Sequence, residues 1–398
     1  MKDTAETRAL YNTTAIDIAD KLNAVRKAVH GEQKKRPPLM DALFPAFNRV
    51  PVGVAREYET MGHRAVSAAL DALAEQHAVQ FEHLATTLGT VIHGIDLKQP
   101  LSPEIIALIR QTLLERKVIF FRGQDLSEDQ QVAFGRCFGE LDAFPFGKPG
   151  KNPYILEILH NAYSPGTENS WHTDVTWMEC PSLGSIAQCT QAPPYGGDTL
   201  FADSHAAYLG LPTHLQEQIQ DLSGMNDYRV FLNRGGVAMP EDLITEIKAR
   251  IPFGVAHPLV RTHPETQKPS LYLHGGFLRQ DALFNHKTGT PLAAEDSLAL
   301  VAELLKQHSR PEYQCRFQWT QGAIAFWDNR AVQHCATNDF WPETRIVERV
   351  TIIGDTNLEG RVPKDASQMY GSNLANFLEH FWNKDEQKFE LRLEDEII

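Results

Sequence analysis

Tyr313-Gln-Cys-Arg-Phe-Gln-Trp319, Ala323-Ile-Ala-Phe-Trp327 and Arg345-Ile-Val-Glu-Arg-Val-Thr-Ile-Ile353 follow one another closely near the end of the main body of this chain. In the first, Tyr313, Cys315, Phe317 and Trp319 alternate with Gln314, Arg316 and Gln318, the period-two pattern of a strand with one buried face. The second is apolar throughout. The third alternates as well, but the face shared by Val347 and Thr351 also carries Arg345 and Arg349. Upstream, Lys117-Val-Ile-Phe-Phe121 reads as a buried strand. Ser102 can cap a helix whose apolar face is Ile105, Leu108, Ile109 and Leu113, and Ser127-Glu-Asp-Gln130 is a capping box opening another. Strands separated by long excursions predict an α+β chain with a closed or sandwiched β core decorated by helices.

Outside this core the reading is simpler. Residues 1–78 are expected to form a helical N-terminal extension. Thr14-Ala-Ile-Asp17 resembles a capping box, Ile18, Leu22, Val25 and Val29 recur at helical spacing, and Gly31 can stop that helix. The stretch GEQKKRPP that begins at Gly31 reads as a linker, and a second helix is expected over roughly 64–76. These helices either pack on the main domain or serve as an oligomer contact or active-site cover. The main domain is expected over 79–360, and 361–398 as a C-terminal helix and tail, with Leu374, Phe377, Leu378 and Phe381 on one helix face after Ser372.

The 398 residues are 42% hydrophobic and 22% charged, which is enough apolar material for a large core. A formal net charge of −13 disfavours nucleic acid as a partner. The five cysteines, Cys137, Cys180, Cys189, Cys315 and Cys335, are odd in number and lack C-x-x-C spacing, so reduced thiols are expected. No apolar leader and no run of about 20 apolar residues is visible. The expected setting is the cytoplasm and the expected partner a small molecule, with no membrane partner; a homo-oligomer is expected.

Chemistry concentrates in three strings. In Ser170-Trp-His-Thr-Asp-Val-Thr-Trp177, an extended backbone puts His172 and Asp174 on one side. An imidazole beside a carboxylate is half of a divalent-metal site; two His and one carboxylate would leave three positions open, which suits non-haem Fe(II). In Ile324-Ala-Phe-Trp-Asp-Asn-Arg-Ala-Val-Gln-His334, a buried strand enters a polar turn and His334 emerges beyond it, either as a ligand or as a turn cap. In the arginine strand, a guanidinium on an inner face needs an anionic partner. For Arg349 that partner is either a bound carboxylate or an internal acid such as Asp328 or Glu348.

Together these strings resemble the taurine/2,4-dichlorophenoxyacetate dioxygenase family of Fe(II)/2-oxoglutarate enzymes. The resemblance runs from Phe81-Glu-His-Leu84 to about Gly354. It includes Leu88 to Leu97, Phe138-Gly-Glu-Leu141, the W-H-T-D around His172, Gly196-Gly-Asp-Thr-Leu200 and W-D-N-R-x-x-x-H at Trp327 to His334. It implies a double-stranded β-helix (jelly roll) core with flanking helices. It implies His172, Asp174 and His334 as iron ligands and catalytic residues, Arg349 on the distal carboxylate of 2-oxoglutarate, Thr199 on the same co-substrate, and Arg345 as a second arginine there. With O2, such an enzyme oxidises a small organic substrate, most often by hydroxylation, and releases succinate and CO2.

The pattern departs from the taurine enzymes at the substrate positions. Phe144 stands where they carry a sulfonate-contacting histidine, and Glu168 where they carry an asparagine. Val175, Val230, Phe231 and Phe277 fill further pocket positions. A phenyl ring cannot donate to an anion, so taurine is not the expected substrate. An apolar or aromatic body with an acid group is. The alternatives are a non-catalytic jelly-roll sensor of metal or metabolite, which an intact ligand set argues against, and a zinc hydrolase, which leaves Thr199 and Arg349 without a role.

Overall fold

The computed structural model describes residues 13, 16–22, 24, 52–144, 151–166, 169–229, 240–250, 254–354, 382–383 and 388–389. The chain divides into two compact units, Met1–Val50 and Pro51–Ile398. In the first, 16–22 are helical, in line with the spacing of Ile18 and Leu22. The expected cap at Thr14, the linker from Gly31 and the helix after Ser372 lie outside the described residues.

In the second unit the helices Val52–Thr60 (α1) and Ala68–Gln76 (α2) precede the strands. Sequence spacing did not single out α1. For α2, Ser67 sets the start: its Oγ accepts from Leu70 N at 3.2 Å. Leu70 and Ala74 of α2 belong to the same buried cluster as the main sheet, so this helix is part of the core and the compact body begins before residue 79.

The main sheet has the order β1-β2-β3-β14-β6-β16-β4, with β5 also on β16. These strands are Gln80–His83, Thr90–His93, Val118–Phe121, Ile324–Asp328, Gly184–Gln191, Arg345–Ile352, Leu141–Asp142 and Leu156–His160. A second sheet has the order β13-β7-β15, namely Gln314–Phe317, Thr199–Asp203 and Val332–Ala336. Two faces of β3 explain its unbroken apolar run. Ile119 and Phe121 pack with Leu108, Ile109 and Leu113 of helix α3 (Pro103–Arg116) and with Val132 and Phe134 of α4 (Glu128–Arg136). Val118 and Phe120 point the other way and join the cluster of Phe201, Phe317, Trp327 and Val347 between the two sheets. Phe120 stacks on Phe317 at a centroid distance of 4.0 Å and meets Phe201 edge-on at 5.6 Å. Such pairs add about 0.5–1.5 kcal/mol beyond their buried area.

The sequence caps are present. Ser102 Oγ accepts from Ile105 N, and the Ser127/Gln130 capping box closes reciprocally. The expected alternation of the strand at Tyr313 to Trp319 also holds: Cys315, Phe317 and Trp319 are buried while Arg316 and Gln318 are exposed. Tyr313 itself lies in a short 3-10 turn. In β16, Arg345, Val347, Arg349 and Thr351 are all buried. The stretch after Phe277 contains a strand, Leu278–Asn285, which pairs with Leu222–Asn226.

At the join of α3 and β3 lies a buried ion cluster. Lys117 Nζ reaches Glu57 Oε1 of α1 at 2.7 Å, the Thr87 carbonyl at 3.0 Å and Asp203 Oδ2 at the end of β7. Next to it, the five-donor guanidinium of Arg116 serves the carbonyls of Ala65, Ala85, Thr86, Leu88 and Gly89 and the hydroxyl of Thr90. One side chain thus satisfies several loop carbonyls, among them the buried ones of Leu88 and Gly89.

Two histidines near this cluster contribute to the acid limb of stability. Burial, and then the charge of Lys117, push His205 down to about 4; burial pushes His308 down to about 4. In the unfolded chain both titrate near the ordinary value of about 6.5. Between these values the unfolded state binds more protons, so stability falls as pH falls through that window, by about 1.4 kcal/mol per pH unit for each group. Metal-free protein should therefore lose unfolding free energy between pH 7 and pH 5. A His308→Gln variant should show a shallower loss in urea titrations, and an unchanged slope would remove His308 from this account.

Candidate metal centre

His334 lies in the middle of β15, in register with Phe201 of β7. On its other side it forms a single antiparallel bridge with His172. His172 N donates to His334 O at 3.0 Å and His334 N donates to His172 O at 2.7 Å. This two-bond clamp sets the imidazoles side by side, with ring centroids 4.0 Å apart. Asp174, two residues on, projects into the same space. One donor atom from each of His172, Asp174 and His334 lies within 4.8 Å of the others.

The tautomer of His172 follows from its hydrogen bond. Nδ1 meets the Ser170 carbonyl at 2.8 Å. A carbonyl only accepts, so Nδ1 carries the proton and Nε2 keeps its lone pair for a metal. His334 Nε2 lies 3.8 Å from Asp174 Oδ1. Desolvation holds both imidazoles below their ordinary pKa and therefore neutral. Burial alone would raise the Asp174 carboxyl, but the Arg349 guanidinium, helped by the hydrogen bond from Ser185, outweighs it and holds it far below the carboxylate range. Two neutral imidazoles and one ionised carboxylate fit a divalent metal that keeps open positions, as Fe(II) does.

The carboxylate is held from several directions. Ser185 Oγ donates to Asp174 Oδ2 at 2.8 Å, and Arg349 Nη1 to Oδ1 at 2.8 Å. Behind it stands Asn329, 2% exposed. Its Oδ1 accepts from Trp327 Nε1 at 2.9 Å, Thr173 Oγ1 at 3.1 Å and Asp174 N at 3.3 Å. Its Nδ2 donates to Ser182 Oγ at 2.8 Å and Ser185 Oγ at 3.2 Å. Asn329 thus links the turn after β14 to the segment bearing two ligands. Just past Asp174, Val175 adopts φ 60°, an unfavourable conformation for a β-branched residue. The strain turns the chain away as soon as the ligand is placed.

The two arginines of β16 separate. Arg345 Nη2 lies 3.3 Å from Thr199 Oγ1, which also accepts from Trp319 Nε1 at 2.9 Å. With two bonds accepted, the Thr199 hydrogen remains to donate. Arg345 is 5% exposed, and no carboxylate pairs with it among the described residues. Arg349 meets Asp174 and lies 5.8 Å over the Phe144 ring. Arg349 thus pairs with an internal acid, as one of its two expected readings had it, but the acid is Asp174 and not Asp328, which is engaged by Arg330 and His263. Phe144, Val175 and Phe277 join Trp177, Met178 and Tyr228 in one apolar group beside the ligands. Glu168, Val230 and Phe231 lie outside the described residues. Sequence reasoning passed over Asn329, Ser185, Trp177 and Tyr228. Asn329 and Trp177 stand inside quoted strings, but nothing in the spacing marks their contacts.

The chain matches the model of the family described as "Taurine catabolism dioxygenase TauD, TfdA family" over residues 80–351. A shorter match, to the C-terminal domain of alanine dehydrogenase/PNT, covers 333–398, mostly outside the described residues. An alkylsulfatase of Acinetobacter baylyi is 33% identical over 302 residues, spanning 73% of this chain and 92% of that protein. An alpha-ketoglutarate-dependent sulfate ester dioxygenase of Pseudomonas putida is 34% identical over 285 residues, spanning 70% and 91%. The crystal structure of a taurine dioxygenase from Burkholderia xenovorans superposes with a TM-score of 0.59 at 33% identity, covering 71% of this chain and 94% of the other. With a family model spanning more than half of its length and relatives matched almost end to end, the chain belongs to the TauD, TfdA family and is a 2-oxoglutarate-dependent non-haem iron dioxygenase.

Proposed function

We propose that this enzyme oxidises a small organic anion with an apolar body, and that an alkyl sulfate ester is the best candidate. The observation that carries the proposal is the separation of two buried guanidinium groups on one strand face. Arg345 and Arg349 are four residues apart, about 13 Å along the strand, so no single small carboxylate neutralises both. Arg345 is buried, has no carboxylate partner among the described residues and stands beside the free donor of Thr199. That pair suits the distal carboxylate of 2-oxoglutarate. Arg349 faces the metal ligand Asp174 and the apolar group around Phe144, which suits a substrate anion. This division departs from the expectation that Arg349 grips the co-substrate.

Charge supports it. A divalent metal, the Asp174 carboxylate, the Arg349 guanidinium and one chelating carboxylate of the co-substrate leave a net charge of about +1, which a monoanionic substrate closes. When bound, iron and 2-oxoglutarate supply an oxidant from O2, with succinate and CO2 released and a substrate C–H oxidised. The chain's residues do the rest. Thr199 and Arg345 orient the co-substrate, Arg349 places the anion, and Phe144, Val175, Trp177 and Phe277 hold the alkyl body and exclude water. The double-stranded β-helix reading accounts for two sheets meeting at Phe120, Phe201 and Phe317. Sulfate esters come to the fore because two relatives bear the names alkylsulfatase and sulfate ester dioxygenase. The relatives' enzyme names do not favour the sensor alternative, and Phe144 continues to argue against taurine.

Binding of 2-oxoglutarate to the Fe(II) enzyme without O2 separates the arginines. Arg345→Ala should weaken it by about 2–4 kcal/mol, because a carboxylate loses its charged partner, while Arg349→Ala should chiefly weaken substrate binding. The opposite pattern would return the co-substrate role to Arg349. Asn329→Ala should lower iron affinity about 10- to 100-fold through loss of ligand support, read by metal titration. Succinate release should be stimulated by hexyl sulfate more than by taurine; stimulation by taurine alone would overturn the substrate class.

A further inference from the structure

The short strand Pro269–Leu271 (β11) runs into Tyr272-Leu-His-Gly-Gly-Phe277. His274 in this turn is 4% exposed. Its Nδ1 accepts from Gly276 N at 2.6 Å and Phe277 N at 2.9 Å. Gly276 is needed for this: a Cβ there would come within 2.9 Å of His274 Cε1. The ring stacks on Phe277, centroids 4.1 Å apart, and lies 5.3 Å from the ring of the metal ligand His172. Phe277 in turn belongs to the apolar group of Phe144, Val175 and Trp177. With Nδ1 occupied as an acceptor, the neutral ring carries its proton on Nε2. That N–H has no partner among the described residues.

An N–H that the chain leaves without an acceptor, on a fixed ring that is otherwise almost wholly covered, is placed to donate to a ligand. We propose that His274 is a substrate-binding residue whose Nε2–H donates to an oxygen of the substrate's anionic head, the sulfate in the reading above, on which this inference rests. The turn after β11 thereby supplies the imidazole that position 144 lacks. Arg349 provides the charge; His274 provides a directed neutral donor that fixes which oxygens face the metal and which carbon is presented.

Two variants separate this role from the role of His274 in the turn. His274→Asn can still offer an oxygen to the N–H groups of Gly276 and Phe277 but has no atom at the Nε2 position. His274→Gln extends an N–H towards that position. The probe is hexyl sulfate, titrated into the O2-free enzyme loaded with Fe(II) and 2-oxoglutarate, with the visible absorption band of the chelate as readout. In His274→Asn the Kd for hexyl sulfate should rise about tenfold or more, while the Kd for 2-oxoglutarate and for the uncharged 1-hexanol stays within about twofold of wild type. His274→Gln should recover most of the affinity. Hexyl sulfate binding by His274→Asn at the wild-type level, or an equal loss for hexyl sulfate and 1-hexanol, would overturn the role of His274 and leave the sulfate-ester reading standing. Wild-type enzyme that fails to bind hexyl sulfate at all would overturn that reading, and this role with it.

Discussion

The site depends on one backbone contact, the two-hydrogen-bond bridge between His172 and His334. Side chains alone would leave two imidazoles free to choose among rotamers. A paired bridge instead fixes both Cα–Cβ vectors to the same side, and the Ser170 carbonyl then fixes the tautomer of one ring. Asp174 follows within two residues, so the bridge also locates the third ligand. Everything needed to build the bridge lies behind it: β15 is held by β7, and β7 by β13. The second sheet is in turn pressed against the first through Phe120, Phe201 and Phe317. The core is thus the platform that keeps a short, irregular segment within reach of one strand.

Polar groups behind the metal site complete the platform. Asn329 uses both ends of its amide, and Asp174 has both oxygens engaged. Each such group is buried, so a missing partner would cost about 1–3 kcal/mol. The network therefore tolerates few alternative arrangements, and the strained Val175 survives within it. The same logic assigns meaning to the groups that are not satisfied. Among the described residues Arg345 has no carboxylate partner and His274 Nε2 has no acceptor, and the first stands with Thr199, the second with Phe277. A protein that keeps a cation and a directed donor in such positions is prepared for two different molecules.

Much of the fold was legible because its signals are local. Ser102 and Ser127 announce helix starts through their own hydroxyls, and Cys315, Phe317 and Trp319 announce a buried face through period two. The continuous run at Val118 to Phe121 announces a strand covered on both sides. The helix α1 was not legible, because its hold on the core comes from Glu57 meeting Lys117 and from Val54 packing with Ala206 and Leu211, contacts no window of sequence contains.

The ligand triad lies between local and tertiary information. His172 and Asp174 are two residues apart, and that spacing by itself determined that they would point the same way. Resemblance added His334, but only the bridge between strands decides that its ring stands 4.0 Å from that of His172. The presence of two arginines on one face was likewise determined by alternation along β16. Their division was not. Period two says that Arg345 and Arg349 are buried together; it cannot say that Thr199 comes to one and Asp174 to the other, because those partners arrive from β7 and from the turn after His172. Geometry within a strand is set by bond lengths and chirality and can be read from the sequence. The partner of each buried charge is set by which distant segments pack against it, and that only the tertiary structure decides.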